Sequence, residues 1–103
     1  SKAVDNKLVV KIENVDKNSL KPLVDRLADH LPEGFVFVAN VMDSKVTFIA
    51  KSNNKEYHAG NICKAAAMVA GGNGGGRPDM AQAGGKDVSK VEESLEKVRE
   101  LIA

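Results

Sequence analysis

Apolar positions along the chain alternate between strand-like and helix-like spacing. In Lys7 to Glu13, KLVVKIE, the residues Leu8, Val9, Val10 and Ile12 form a mostly branched run bounded by polar residues, which predicts a largely buried strand. Asp16, Asn18 and Ser19 follow as candidate helix caps. Leu20, Leu23, Val24, Leu27 and Leu31 then recur at helical spacing, and Pro22 is read into the first turn, where its missing N–H is not needed. This amphipathic helix is expected to end near Pro32 to Gly34. FVFVANV and KVTFIAK, rich in β-branched and aromatic residues, read as two strands of a hairpin turned at Asp43 and Ser44.

A second helix is expected within SNNKEYHAGNICKAAAMVAGG, with Ile62, Ala66, Val69 and Ala70 on one face and Gly71 and Gly72 as its stop. Its many small side chains predict close packing on another backbone. Asp87 caps a last helix in which Val88, Val91, Leu95, Val98 and Ile102 repeat at spacings of 3, 4, 3 and 4, with Glu93 facing Lys97 on the exposed side. Barely two heptads favour packing on the domain's own sheet over a coiled coil. The order strand, helix, strand, strand, helix, loop, helix implies an α+β domain: a single mixed β-sheet with helices packed on it and a glycine-rich loop between the last two helices. The first two strands should be parallel through a right-handed crossover, and the third should add antiparallel.

Composition narrows the function classes. The chain of 103 residues, 43% hydrophobic, is long enough for one domain with its own core, spanning 1–103. It begins at Ser1 without a methionine, which suggests a fragment of something longer. Fifteen Lys and Arg against 14 Asp and Glu give a net charge of +1, so any anion site must be local. One cysteine, Cys63, forms no internal disulfide, and with two histidines it makes no plausible zinc set, so no metal site is expected and the compartment is expected to be the reducing cytoplasm. No apolar run approaches the ~20 residues of a membrane span, so no membrane partner is expected.

The stretch from Val69 to Asp87, VAGGNGGGRPDMAQAGGKD, holds seven of the nine glycines. It lacks the Gly-Lys-Ser/Thr of a Walker loop. It also fails the dinucleotide fingerprint, because Arg77 stands where a third glycine is needed and the stretch follows a helix instead of a strand. A run of backbone N–H groups free of side chains can still form an anion-binding concavity, with Arg77 clamping a phosphate bidentately. The competing explanation is a tight chain return with close helix packing. Each glycine costs roughly 0.5 to 1 kcal/mol of chain entropy, which favours a functional reason.

The residues GGNGGGRPDMAQAGG, Gly71 to Gly85, resemble the signature loop of the C-terminal domain of alanyl-tRNA synthetase, the DHH-associated domain called C-Ala. HAGNICKAAAMVAGG before the loop and the amphipathic helix after it extend the likeness along the whole chain. The resemblance implies a tRNA-binding module that helps bring the aminoacylation and editing domains onto one tRNA and is not catalytic by itself. Its implied partners are alanine-specific tRNA and the other domains of the same synthetase. It implies no cofactor in this fragment; ATP, Mg and the Zn of the editing domain belong to the rest of an alanine–tRNA ligase. Gly71, Gly72, Gly74, Gly75, Gly76, Arg77, Pro78, Ala81, Gln82, Ala83, Gly84 and Gly85 match the family's loop. Position 73 departs: many members carry lysine where this chain has Asn73, so a charged contact there lacks its usual residue. Related phosphoesterases carry a histidine version of the loop, GGGH, beside a two-metal centre, and Arg77 replaces that histidine here.

The nucleic-acid-binding candidates are therefore Gly72, Gly74, Gly75, Gly76, Arg77, Gln82, Lys64, Lys86 and His58. His58, just before the alanine-rich helix, is a phosphate contact or a polar cap. Lys64 and Lys86 flank the loop and either enlarge a positive patch or are simply solvated. Gln82 could read a ribose hydroxyl or a base edge, or hold the loop. Cys63 is expected to be buried and inert. Phe35, Phe37 and Phe48 belong to the hairpin core and leave only Tyr57, so stacking on unpaired bases is not expected and recognition of folded RNA by shape and backbone is. Two other classes stand beside the tRNA reading: a substrate-holding domain of a DHH-type phosphoesterase, and a homodimerisation module using the last helix.

Overall fold

The first strand forms with its predicted bounds and the chain then builds three helices on one sheet. The computed structural model describes residues 7–30, 34–54 and 57–102. In order these are β1 (Lys7–Glu13), α1 (Lys17–Asp29), β2 (Phe35–Met42), β3 (Lys45–Ser52), α2 (Ala59–Val69), β4 (Asn73–Gly76), β5 (Met80–Gly85), a 3-10 turn (Val88–Lys90) and α3 (Val91–Ile102). The five-stranded sheet has the order β1-β2-β3-β5-β4. β1 pairs parallel with β2, Val9 opposite Phe37, and every other pairing is antiparallel.

Alternation along β2 and β3 divides the core in two. Phe35, Phe37, Ala39, Val46, Phe48 and Ala50 face α2 and α3, where they meet Ile62, Cys63, Ala66, Val91, Leu95 and Val98. Val36, Val38 and Ile49 face the other way, onto Leu20, Val24 and Ala28 of α1. The three phenylalanines are fully buried, each contributing about 1.5 to 3 kcal/mol of transfer free energy. The apolar repeat of α3 is consumed in this core: Val91, Leu95, Val98 and Ile102 are all buried. Buried Ser94 donates to the carbonyl of Ala66 at 2.9 Å and locks α3 onto α2. Asn40 ties the β1–α1 connection to the sheet by donating to the Val15 carbonyl at 2.8 Å and accepting from its N–H at 3.2 Å.

The hairpin turn is as expected. Asp43 and Ser44 both have positive φ, 54° and 62°, the signature of a type I′ turn whose twist matches its strands. Three expectations shift. Among the three cap candidates it is Asp16 that caps α1, accepting from the Asn18 N–H at 3.1 Å; the helix therefore starts at Lys17, and Pro22 lies in its second turn. A proline there cannot donate to the carbonyl four residues back, that of Asn18. The helix ends at Asp29 with His30 as C-cap, short of the expected 32–34, and Leu31, Pro32 and Glu33 lie outside the described residues. Glu93 takes Lys90 as a partner at 3.5 Å, one turn before it, through the 3-10 start of the helix.

The largest shift concerns the glycine-rich stretch. It is not a loop between helices but a second hairpin, β4 and β5, which extends the sheet beyond β3. Glycine has no intrinsic preference for a strand, so the pairing is imposed by β5 on one side and by α2 lying across it.

Candidate nucleic-acid interface around the glycine-rich hairpin

Both ends of α2 are tied to this hairpin. At the start, the N–H groups of Ala59 and Gly60 donate to the carbonyls of Pro78 and Arg77 at 2.8 and 3.0 Å. His58 caps the same turn, its Nδ1 accepting from the Asn61 N–H at 3.0 Å. At the end, Gly71 with φ 73° closes the helix, and the Gly71 and Gly72 N–H groups return to the carbonyls of Met68 and Ala67. The carbonyl of Ala70 accepts from Lys86 and Asp87 at 3.0 and 2.9 Å.

Several glycines are explained by this closeness. A Cβ at Gly60 would lie 2.4 Å from the Gly76 carbonyl oxygen, one at Gly72 would lie 1.8 Å from that of Gly84, and one at Gly74 would lie 2.3 Å from the Ala83 Cβ. No such contacts occur in real structures, so α2, β4 and β5 approach as they do only because these side chains are missing. The amides are likewise engaged. Gly72 donates to Ala67, Arg77 to Met80 at 3.0 Å, and Gly74 to the side chain of Asn73 at 2.8 Å. The N–H groups of Gly72 and Gly74 are thus spent inside the chain and are not open to an anion.

The nine candidate residues do not form one patch. Arg77 and His58 share the end where the β4–β5 turn meets the start of α2. Arg77 is 76% exposed, with Asp79 at 3.5 Å as an ion partner, and so remains available to a phosphate. Gly72 and Lys86 lie at the opposite end of the hairpin, five residues of extended chain from Arg77, roughly 16 Å. Lys64 is exposed on α2. Gln82 is exposed too, on the face of the sheet that carries Ile49 and α1.

That face is only half covered. α1 lies over β2 and β3, and beside it Asn18, Leu20, Lys21, Pro22, Thr47, Ile49 and Gln82 line a groove of about 390 Å³. Lys21 and Thr47 carry no local motif that marks them in the sequence, and Asn18 stood out only as a cap candidate; only the fold brings them to Gln82. The opposite side of the molecule has another character. Glu92, Glu93, Glu96 and Glu100, with Lys97 among them, line a shallow hollow against Val69 on the outer side of α3.

Nucleophilic chemistry finds no support. The Cys63 thiol is fully buried, donates to the Phe48 carbonyl at 3.6 Å, and is pushed up to about 12 by desolvation, so it stays protonated. Among the described residues no three or more His, Cys, Asp or Glu side chains gather as a metal set, and no helix is long and apolar enough to cross a membrane.

A sheet with α1 on one face, α2 and α3 on the other, and a glycine hairpin tied to α2 defines a class: the chain belongs to the DHHA1 domain family, whose profile matches residues 5–103. Within that family its fold is that of the C-Ala domain. The C-Ala domain from Aquifex aeolicus alanyl-tRNA synthetase superposes with a TM-score of 0.83 at 28% identity, over 93% of this chain and 89% of that one. The chain is 45% identical over 101 residues to the alanine–tRNA ligase of Clostridioides difficile (strain 630), which is 94% of this chain and 12% of that protein. To the alanine–tRNA ligase of Oceanobacillus iheyensis it is 47% identical over 91 residues, 84% of this chain and 10% of that protein. The chain thus spans about 12% and 10% of the lengths of these two relatives.

Proposed function

We propose that this domain is the tRNA-docking module of a cytoplasmic alanine–tRNA ligase, non-catalytic in itself, and that it holds one tRNA within reach of the aminoacylation and editing domains. The observation that carries the reading is the likeness of nearly the whole chain to a C-Ala domain and to enzymes whose substrate is tRNA. ATP, Mg and Zn would then serve other domains of the same enzyme. Arg77, exposed at the tip of the glycine hairpin, is the direct phosphate contact, with His58 beside it and Lys64 and Lys86 adding longer-range attraction. His58 keeps its Nδ1 for the cap, which leaves Nε2 to face a ligand.

The net charge of +1 implies modest affinity for the domain alone, which tethering within the full enzyme raises through effective concentration. Binding to alanine tRNA, to an unrelated tRNA and to a plain RNA duplex across a salt series tests the reading. Preference for tRNA over the duplex, weakening with salt, is expected. Arg77→Ala should lower the slope of log K against log salt by about one. An unchanged slope would remove Arg77 from the interface, and absence of tRNA binding at low salt would overturn the docking role of the domain.

A further inference from the structure

Packing accounts for Gly60, Gly72, Gly74, Gly76 and Gly85, each of which would bring a Cβ to within 3.0 Å of a neighbour, and backbone conformation accounts for Gly71 and Gly75, with φ of 73° and 146°. Gly84 has neither reason. Its φ is not positive, and a Cβ there would meet nothing nearer than the Val46 carbonyl oxygen at 3.7 Å. The fold tolerates a side chain at this position, in a strand where glycine is itself unfavourable.

Its location suggests why none is present. Gly84 pairs with Thr47 of β3 and Asn73 of β4, and it lies on the same face as Gln82, which pairs with Ile49 and Gly75. This is the half of the sheet that α1 leaves open, and Thr47 and Gln82 are walls of the groove beside α1. Next to this groove Gly84 and Gly75 present bare backbone on the same face, bounded at the β4 edge by Asn73, the partner of Gly84.

The polar groups in it are unspent. Among the described residues, the side chains of Asn18, Lys21, Thr47 and Gln82 make no hydrogen bond or ion pair. Pro22 withholds the amide that would otherwise satisfy the Asn18 carbonyl. The lining contains one cation and no carboxylate, whereas the hollow on α3 holds four glutamates. An anionic polymer is therefore favoured on this side of the molecule and repelled from the other. No aromatic ring lines the groove, so it offers hydrogen bonds and charge in place of stacking.

We infer that this groove, from Lys21 across Thr47 and Gln82 to the bare backbone at Gly84, takes a ribose–phosphate stretch of the bound tRNA, Lys21 meeting a phosphate while Gln82 and Thr47 meet sugar hydroxyls. The inference rests on the tRNA-docking reading and adds to it a second contact on the sheet face, distinct from the Arg77 tip. A Cβ at position 84 has space, so a β-branched side chain there projects onto this face.

The test is fluorescence-detected binding of the domain to an alanine tRNA transcript at low salt, for the unaltered chain, Gly84→Val and Lys21→Ala. Gly84→Val is expected to weaken binding by roughly tenfold or more, the scale of one lost charged or bidentate contact. Lys21→Ala, on the exposed side of α1, should weaken it by roughly fivefold and reduce the salt slope by about one. If Gly84→Val unfolds the domain, the Lys21→Ala result decides alone. Binding equal to that of the unaltered chain in the folded variants overturns the groove and leaves the docking reading in place. Failure of the unaltered chain to bind tRNA overturns both.

Discussion

The two hairpins of this sheet have the same topology and opposite chemistry. β2 and β3 are held by what their side chains bury: Phe35, Phe37 and Phe48 on one face, and Val36, Val38 and Ile49 on the other. β4 and β5 are held by what their side chains omit, since β5 leaves no room for a Cβ at Gly72, Gly74 or Gly76, and α2 approaches Gly76 through Gly60, which has no room for one either. The first hairpin is a core element that could belong to many proteins. The second gives up intrinsic strand stability for a thin backbone layer, and the surface it presents is the one to which function is assigned here. Stability and recognition are thus divided between neighbouring pairs of strands.

Substitutions can break this contrast in order of size. Phe37→Ala should cost about 3 to 5 kcal/mol, because the ring is fully buried between Phe35 and Phe48 and leaves a cavity; urea unfolding that shows a loss under 1 kcal/mol would remove the first hairpin from its central role. In the second hairpin, Gly74 and Gly84 should behave oppositely. Gly74→Ala meets Ala83 at 2.3 Å and should cost about 2 to 3 kcal/mol, while Gly84→Ala has space and should stabilise by about 0.5 kcal/mol. Equal effects at the two positions would mean that close approach is not what selects glycine. Ser44→Gly, in the type I′ turn of the first hairpin, relieves a left-handed conformation at φ 62° and should stabilise by about 0.5 to 1 kcal/mol. A drop in thermal midpoint would show that the Ser44 side chain contributes more than its backbone costs.

This division also explains which parts were legible in the sequence. β1, the first hairpin, α1 and α3 announce themselves because branched and aromatic residues at period 2 and aliphatic residues at spacings of 3 and 4 carry their own signal. The parallel pairing of β1 with β2 followed from the helix that joins them. β4 and β5 carry no such signal, because NGGG is a strand only in the presence of α2, a partner distant in the rules of local propensity. The start of α1 has a similar cause: Asp16, Asn18 and Ser19 could each cap, and only the fold chose Asp16. At the candidate site, Arg77 and the glycines stood out as a motif, and His58 was recognisable as a cap. The groove was not, since Lys21, Thr47 and Gln82 come from three elements that share no sequence pattern.

The most direct measurement is amide chemical-shift mapping of the domain during titration with alanine tRNA. The account predicts changes at Arg77 and along the open face, at Thr47, Gln82 and Gly84, with the amides of Glu92, Glu96 and Glu100 on α3 left in place. Changes centred on those glutamates, or none anywhere at low salt, would contradict it.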